Sequence, residues 1–345
     1  ITSIDQILTG ANPGNITLLG EEFDEIYLNK VHTLSLSPES VGKFHDMKIA
    51  YTPLHGAGVR LVPASLRKWG FTNVSLVEEQ AVIDGNFPTV ESPNPEERKT
   101  MAKAIELGSR LGADLVLATD PDSDRIGVAL RNAKGEYVLL NGNQTLSLIM
   151  AYQLTRWSEL GRLDGKEFVV KTIVTSQMPN VMAAHFGVKC YDCLTGFKYI
   201  ARIIRNNEGK ATYIGGGEES FGYLAGDFVR DKDAVSACSL VAEAAAWTRD
   251  TMGLTLYEWL QKLYVEFGFF REGLVSVVRK GMEGAAEIQR MMVDYRADPP
   301  REIAGSPVVK INDFKLLEST DVRTGAKTPI EEEASNVLQW FAADG

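Results

Sequence analysis

Short apolar runs rich in β-branched residues alternate along this chain with segments of helical periodicity. The runs predict strands at residues 48–52, 73–77, 114–118, 126–130, 136–140, 167–174, 189–191 and 211–214. Helical segments separate most of these runs, and the longest are residues 144–160 and 234–252. Strands that alternate with helices in this way form packed α/β sandwiches. The neighbouring runs 126–130 and 136–140 flank a short turn and should pair antiparallel, so we expect mixed sheets.

The length of 345 residues is more than one typical core needs, so we expect two to four domains. Residues 44–160 and 161–272 are predicted to be two complete α/β domains. Residues 1–43 look helical and polar and are predicted to be a tail and linker. Residues 273–345 are predicted to form a partial α+β C-terminal piece, with strands at 274–278, 308–311 and 337–343 and a helix at 285–295.

The composition argues against several classes of function. The net charge of −10 is spread along the chain, whereas surfaces that bind nucleic acid or anionic membranes show clustered basic residues. No apolar run approaches the roughly 18 residues of a membrane span, and no signal peptide opens the chain. Three cysteines indicate a reducing compartment. We therefore expect a cytoplasmic protein with no nucleic-acid or membrane partner.

Two of the cysteines, Cys190 and Cys193, form a C-x-x-C pair. Such a pair is compatible with redox activity or with half of a zinc site. Zinc would need two further ligands, and Cys238 and His185 are the candidates. Structural thiols are the favoured interpretation.

Asp120, Asp122 and Asp124 place three carboxylates on alternate residues just after the predicted strand 114–118. Three like charges so close repel strongly, and oxygen ligands suit a hard divalent cation such as Mg²⁺. The carboxyl end of a strand is where open α/β sheets place their ligands. Arg125 follows at once and adds a planar cation suited to phosphate. The stretch predicts a Mg²⁺ site that is open to phosphate oxygens.

The same spacing also opens an EF-hand calcium loop, which needs Gly at position 6 and Glu at position 12. Counted from Asp120, these positions hold Arg125 and Arg131, so an EF-hand is excluded. A solvated acidic turn without a metal remains open on spacing alone.

A second polar cluster lies in the glycine-rich segment 215–222. Glu218, Glu219 and Ser220 are predicted to lie in a turn whose glycines let it approach a ligand closely, and their oxygens suit sugar hydroxyls. A plain turn is the alternative. The segment lacks the Gly-Lys-Ser/Thr ending of a nucleotide P-loop.

Charged residues 230–233 precede the predicted helix 234–252. Asp231 or Asp233 is expected to cap the N-terminus of this helix. Lys232 is a candidate for phosphate binding or proton transfer, although residue chemistry alone favours the helix cap as the purpose of the cluster.

Five motifs together resemble those of the α-D-phosphohexomutase family, and their order and spacing agree over nearly the whole chain. They are Asp120-Pro121-Asp122-Ser123-Asp124-Arg125, which is similar to the family's metal-binding loop, Gly217-Glu218-Glu219-Ser220-Phe221-Gly222, which is similar to its sugar-binding loop, Thr195-Gly196-Phe197-Lys198, Thr52-Pro53-Leu54-His55-Gly56 and Pro93-Asn94-Pro95-Glu96. The segment 223–233 is most similar to the phosphoglucomutase and phosphopentomutase subgroup. The resemblance implies tandem α/β sandwich domains of the phosphohexomutase type, with 44–160 as the metal-binding second domain and 161–272 as the sugar-binding third domain.

The resemblance also implies a reaction, the reversible 1↔6 transfer of a phosphoryl group on a hexose phosphate. The transfer would pass through a phosphoserine and a hexose bisphosphate, with glucose 1-phosphate and glucose 6-phosphate favoured as substrates. Mg²⁺ would be bound by Asp120, Asp122 and Asp124. Arg125 and Lys232 match catalytic positions of the family. The positions that match substrate-binding residues are Glu218, Ser220, Thr195, Gly196 and Lys198. A monomer or weak dimer is expected.

Two of the family's motifs do not occur in this sequence. These are the Ser-His-Asn-Pro loop that carries the nucleophile and the Arg-Pro-Ser-Gly-Thr loop that binds phosphate. We therefore expect 1–43 to be the tail of a catalytic first domain and 273–345 the start of a phosphate-binding fourth domain. The longer protein should be a mutase, and this piece alone should be inactive. Phosphomannomutase, phosphopentomutase and a non-catalytic sugar-phosphate-binding protein remain alternatives.

Overall fold

A mixed five-stranded sheet organises the first half of the computed structural model, which describes residue 17 and residues 19–344. Its strands are β1 (Ile49–Thr52), β2 (Val74–Leu76), β3 (Leu115–Thr119), β4 (Ile126–Arg131) and β5 (Tyr137–Leu139). The order is β2-β1-β3-β4-β5, in which β1 pairs in parallel with β2 and β3, and β4 is antiparallel to both β3 and β5. Every residue of β1 and β3 is buried, which explains why both appear in the sequence as continuous apolar runs.

Helices cover both faces of this sheet. Helix α4 (Ala102–Leu111) packs on one face, in the same core as Val116 of β3. Helix α3 (Gly58–Trp69) lies on the other face, in the same core as Leu117. Because successive strand residues point to opposite faces, a strand that is buried throughout needs cover on both sides.

A second sheet of four strands follows in the order β7-β6-β8-β9. Its strands are β6 (Glu167–Thr172), β7 (Lys189–Cys193), β8 (Thr212–Gly217) and β9 (Tyr223–Ala225), and β9 alone is antiparallel. The helices of this part are α5 (Gly142–Glu159), α6 (Met178–His185), α7 (Phe197–Asn206), α8 (Ala234–Met252) and α9 (Leu256–Phe267). Helix α5 packs against β8 and α6, whereas α7 lies on the opposite face beside Phe168.

Helix α8 connects the two sheets. It packs against β9 and α3, and the Oγ of Ser239 lies 2.7 Å from the Oγ of Ser65 on α3. Helix α1 (Glu21–His32) packs on α3, and α2 (Pro38–Lys43) packs on α8. The fully buried Glu243 of α8 accepts hydrogen bonds from backbone N–H groups of the segment between α1 and α2. One large apolar core therefore extends from the first sheet to the second.

The chain divides into two compact units, Ile1–Phe270 and Arg271–Gly345. The strands and helices predicted for residues 44–267 are formed, with small shifts at their ends. The predicted boundary between the two α/β domains near residue 160 stays a prediction. Residues 1–16 and 18 of the predicted tail lie outside the described residues. Across the described part of the chain, no helix is both long enough and apolar enough to cross a lipid bilayer.

The second unit combines helix α10 (Gly281–Ala297) with an antiparallel sheet centred on β11 (Ser306–Asp313). The remaining strands are β10 (Glu302–Ile303), β12 (Glu318–Asp321), β13 (Lys327–Pro329) and β14 (Leu338–Ala342). Strand β11 pairs with β10, β12 and β14. Arg296 of α10 donates to Asp313 at 2.9 Å, which fixes the helix against β11.

The predicted strand at residues 274–278 is wrong. These residues have no regular secondary structure, and Leu274 and Val275 are each 88% exposed. A strand needs a neighbour to pair with its backbone N–H and C=O groups. Apolar, β-branched composition alone does not supply that neighbour.

Cys190 and Cys193 lie on opposite faces of the second sheet because they are three residues apart on β7. Cys193 is buried in the core around Phe168, and Cys190 packs against the larger core on the other side. Burial raises the pKa of Cys190 to about 12, which keeps it as an unreactive thiol. This arrangement fits structural thiols.

Candidate active site

The loop after β3 folds around the side chain of Asp120, which is only 1% exposed. Its Oδ1 accepts hydrogen bonds from the backbone N–H groups of Asp124 (3.1 Å) and Arg125 (3.0 Å), and its Oδ2 accepts one from Nε of Arg125 (2.7 Å). Within this turn Ser123 takes a left-handed φ of 61°. Such a φ is costly for a residue other than glycine and is frequent at functional sites.

The three predicted metal ligands converge in this loop. Asp120, Asp122 and Asp124 each offer a carboxylate oxygen, and these oxygens lie within 4.8 Å of one another. Opposite ligands of Mg²⁺ lie about 4.2 Å apart at bond lengths of about 2.1 Å, so the spacing is close to what the ion needs. Burial raises the pKa of the Asp120 carboxyl to about 6, although hydrogen bonds from Arg125 oppose the rise. The donor set and its spacing fit Mg²⁺, with exposed Asp122 on the open side.

Two cations border the carboxylates. Arg125 lies 3.6 Å from Glu96 and 3.7 Å from Asp124, in addition to its bond with Asp120. The Nζ of Lys232 lies 2.7 Å from Oδ2 of Asp124. Partial burial lowers the pKa of Lys232, but the hydrogen bond with Asp124 and nearby carboxylates outweigh that effect, so the pKa is raised. The carboxylates still outnumber the cations, which favours a bound divalent cation.

The glycines at the start of the segment 215–222 serve packing. Gly215, Gly216 and Gly217 belong to strand β8 and not to the turn, so the prediction that these glycines form a ligand-facing turn is wrong. A Cβ at Gly216 would lie 2.0 Å from the carbonyl oxygen of Val170, and one at Gly217 would lie 2.2 Å from that of Gly222. Close approach of neighbouring backbones requires glycine here. The turn itself spans residues 218–222.

The predicted sugar-binding residues lie at one edge of the second sheet. Glu218 is 5% exposed, and its Oε1 accepts a hydrogen bond from the N–H of Gly196 at 2.7 Å. Burial raises the pKa of Glu218, against the effect of this hydrogen bond. Gly196 begins α7 with a φ of 118°, Thr195 and Lys198 are exposed beside it, and Ser220 is half-buried. Residues from two separate loops therefore border the same space.

Backbone contacts join this turn to the aspartate loop. Arg125 and Gly222 form an antiparallel bridge, and the N–H of Ile126 donates to the carbonyl of Phe221 at 3.0 Å. A Cβ on Gly222 would lie 2.2 Å from Cδ of Lys232, so glycine leaves room for the lysine to reach Asp124. Phe221 has a left-handed φ of 67°. The two predicted constellations thus lie side by side and are joined through their backbones.

Asp233, and not Asp231, caps helix α8. Its Oδ1 accepts hydrogen bonds from the N–H groups of Val235 and Ser236. The predicted helix cap is therefore confirmed for Asp233. The preceding residue, Lys232, lies beside the carboxylates and contacts Asp124. A pocket of about 380 Å³ opens next to Asp122 and Lys232, with Tyr27 and Leu61 in its wall.

Three residues near the two loops are not among the predicted site residues. They are Glu96, which contacts Arg125, Gly142 at the start of α5, and Lys171, which is fully buried on β6 with its Nζ 3.0 Å from Asp192. A lysine inside the apolar run 167–174 is a signal that could have identified Lys171, since a buried charge needs a partner. The position of Gly142 depends on tertiary packing and has no local signal.

Two models of the phosphoglucomutase/phosphomannomutase family match this chain. The model of the family's alpha/beta/alpha domain II matches residues 25–135, and that of domain III matches residues 141–267. A curated phosphoglucomutase of Staphylococcus aureus (strain MRSA252) is 35% identical over 300 residues, which are 87% of this chain and 53% of the relative. The chain thus spans about half the length of the curated relatives it matches.

Solved structures support the same fold at lower sequence identity. A phosphoglucomutase/phosphomannomutase family protein from Burkholderia thailandensis superposes with a TM-score of 0.58 at 18% identity, covering 82% of this chain and 54% of that one. The open form of pp63/parafusin, a phosphoglucomutase from Paramecium, gives a TM-score of 0.61 at 14% identity, covering 94% and 53%. These similarities are evidence for the shared α/β fold.

Proposed function

Because the chain belongs to the α-D-phosphohexomutase family, we propose that it forms the metal- and sugar-binding part of a phosphosugar mutase. The proposed reaction is the reversible transfer of a phosphoryl group between the 1 and 6 positions of a hexose, with glucose 1-phosphate and glucose 6-phosphate as the favoured pair. It uses a phosphoserine and a hexose bisphosphate intermediate.

The observation that carries this proposal is the direct junction of the two loops. Arg125 and Gly222 pair through their backbones, and Lys232 passes Gly222 to reach Asp124. Groups suited to a metal and phosphate therefore lie beside groups suited to sugar hydroxyls. A hexose phosphate carries both a phosphate group and sugar hydroxyls in one small molecule.

Each residue has a part in this proposal. Asp120, Asp122 and Asp124 would bind Mg²⁺, which neutralises and polarises phosphate oxygens when bound. Arg125 would orient the phosphate and balance charge that develops on it, and Lys232 would donate a proton or a charged hydrogen bond to the reacting oxygen. Contacts to the sugar hydroxyls and phosphate are assigned to Glu218, Ser220, Thr195, Gly196 and Lys198.

The Ser-His-Asn-Pro nucleophile motif is absent from these 345 residues. We therefore propose that they bind a sugar phosphate without turning it over.

A coupled assay of glucose 1-phosphate conversion tests the proposal, with Mg²⁺ and a catalytic amount of glucose 1,6-bisphosphate. The complete product of the gene that encodes these residues should convert glucose 1-phosphate to glucose 6-phosphate, and residues 1–345 alone should not. Mannose 1-phosphate and ribose 1-phosphate are compared in the same assay. Faster turnover of either would replace glucose as the preferred substrate, and no turnover of any of the three would contradict the mutase assignment.

A further inference from the structure

Glu219 is a second carboxylate in the 218–222 turn, next to the proposed sugar ligand Glu218. Its side chain is directed to the end of strand β6, where its Oε2 accepts hydrogen bonds from Oγ1 of Thr172 at 2.9 Å and from Oγ1 of Thr175 at 3.1 Å. Both threonines are almost fully buried. The Oγ1 atoms of the two threonines also lie 2.8 Å apart, so Glu219, Thr172 and Thr175 form one hydrogen-bonded cluster.

The turn is also enclosed on its other sides. Gly142 at the start of α5 packs so closely that a Cβ there would lie 1.8 Å from the carbonyl oxygen of Glu219. The carbonyl of Phe221 accepts the N–H of Ile126, and the N–H of Glu218 donates to the carbonyl of Gly222 at 2.9 Å. The backbone bends through a left-handed φ at Phe221. A conformation of this cost persists only where the surroundings fix it.

We propose that Glu219 is a positioning residue, which fixes the 218–222 turn through Thr172 and Thr175 so that Glu218 and Ser220 face the sugar. This inference rests on the proposed function, because it takes the turn to be the sugar-binding loop. The Glu219–threonine cluster, defined as Glu219, Thr172 and Thr175, anchors the turn to β6 before any ligand arrives. Glu219 itself makes no contact with the sugar.

Amide hydrogen exchange, measured without ligand, tests whether the Glu219–threonine cluster fixes the turn. The reporters are the amides of Glu218 and Ile126, which close the turn. The Thr172→Val/Thr175→Val double variant removes both donors and keeps Glu219, and we expect exchange at the two amides to accelerate about tenfold, because a half-buried carboxylate loses its partners. Thr212→Val, an exposed change on β8, should leave both rates unchanged.

Replacing the whole cluster by apolar side chains distinguishes a positioning role of Glu219 from direct contact between Glu219 and the sugar. Glu219→Met alone should weaken glucose 1-phosphate binding about tenfold, measured as Kd by titration calorimetry, because the hydroxyls lose their acceptor. Adding Glu219→Met to the double variant replaces the whole cluster by apolar groups of similar shape, and this triple variant should recover both the affinity and the slow exchange. Thermal unfolding by circular dichroism confirms that each variant is folded.

The outcomes distinguish the two claims. If affinity stays low in the triple variant while the exchange rates recover, Glu219 contacts the sugar and the positioning role is overturned. Unchanged exchange in the double variant also overturns it. If exchange responds as expected but the wild-type chain binds no sugar phosphate, the cluster orders the turn and the proposed function fails instead.

Discussion

Glu218 shows how burial determines the chemistry of a single residue in this site. Its carboxyl is 5% exposed and accepts the N–H of Gly196, and burial raises its pKa above the usual value near 4.5. A raised pKa means that the folded protein takes up the proton at a higher pH than the unfolded chain does. The folded state is therefore destabilised as the pH rises through the folded pKa of Glu218.

This sign leads to a prediction for ligand binding. If Glu218 binds sugar hydroxyls as proposed, its ionised carboxylate should accept stronger hydrogen bonds than a neutral amide does, so Glu218→Gln should weaken glucose 1-phosphate binding about tenfold near pH 7. As the pH falls through the raised pKa of Glu218, the wild-type carboxyl becomes protonated and the difference in Kd between the two proteins should shrink. Calorimetric titrations at several pH values measure it, and the ligand's own phosphate titration cancels in the ratio.

The control for this experiment is Glu106→Gln, an exposed change on α4. Its Kd should follow the wild-type value at every pH. A Glu218→Gln ratio that stays constant with pH would show that ionised Glu218 does not take part in binding.

At the scale of elements, the N-terminus of α5 and the 218–222 turn are packed backbone to backbone. A Cβ on Gly142 would lie 2.6 Å from the carbonyl carbon of Glu219 and 2.8 Å from the nitrogen of Phe221, in addition to the 1.8 Å contact with the Glu219 oxygen. These are main-chain atoms, which cannot move aside as a flexible side chain can. The helix and the turn would therefore have to separate.

Gly142→Ala should accordingly lower the free energy of unfolding by about 1–3 kcal/mol, as overpacking does elsewhere. It should also weaken sugar-phosphate binding, because the turn carries Glu218. Gly42→Ala is the matched control, since a Cβ there meets no atom within 4 Å and alanine favours helix. Denaturant unfolding of both variants measures the effect, and equal stability would contradict the packing argument.

The elements differ in how far the sequence predicts them. Strand β3 is predictable because a fully buried strand appears as a nearly continuous apolar run, and the cap of α8 is predictable because Asp233 precedes an apolar helix. The apolar run 274–278 fails as a strand because pairing partners are set by the fold and not by composition. The sequence prediction that Gly215–Gly217 form a turn is wrong for a similar reason, because no local sequence signal shows that these positions need close backbone packing.

At the scale of the whole molecule, the candidate site lies where a loop at the end of the first sheet contacts a turn at the end of the second. The aspartate loop ends β3 of the first sheet, and the 218–222 turn ends β8 of the second. Spacing along the chain identifies both loops as candidate sites, but residue chemistry alone does not predict that the two loops lie next to each other. The resemblance to a family implied their association, and the Arg125–Gly222 bridge and the Lys232–Asp124 contact supply its geometry.

The most direct test of this account is the binding of glucose 1,6-bisphosphate to residues 1–345 by titration calorimetry, with and without Mg²⁺. If the two loops form one site, Mg²⁺ should strengthen binding by at least about tenfold, and that gain should be lost in Asp122→Asn. Glu218→Gln should weaken binding while the gain from Mg²⁺ remains. Binding that is independent of Mg²⁺ and unaffected by either substitution would show that the two loops do not form one binding site.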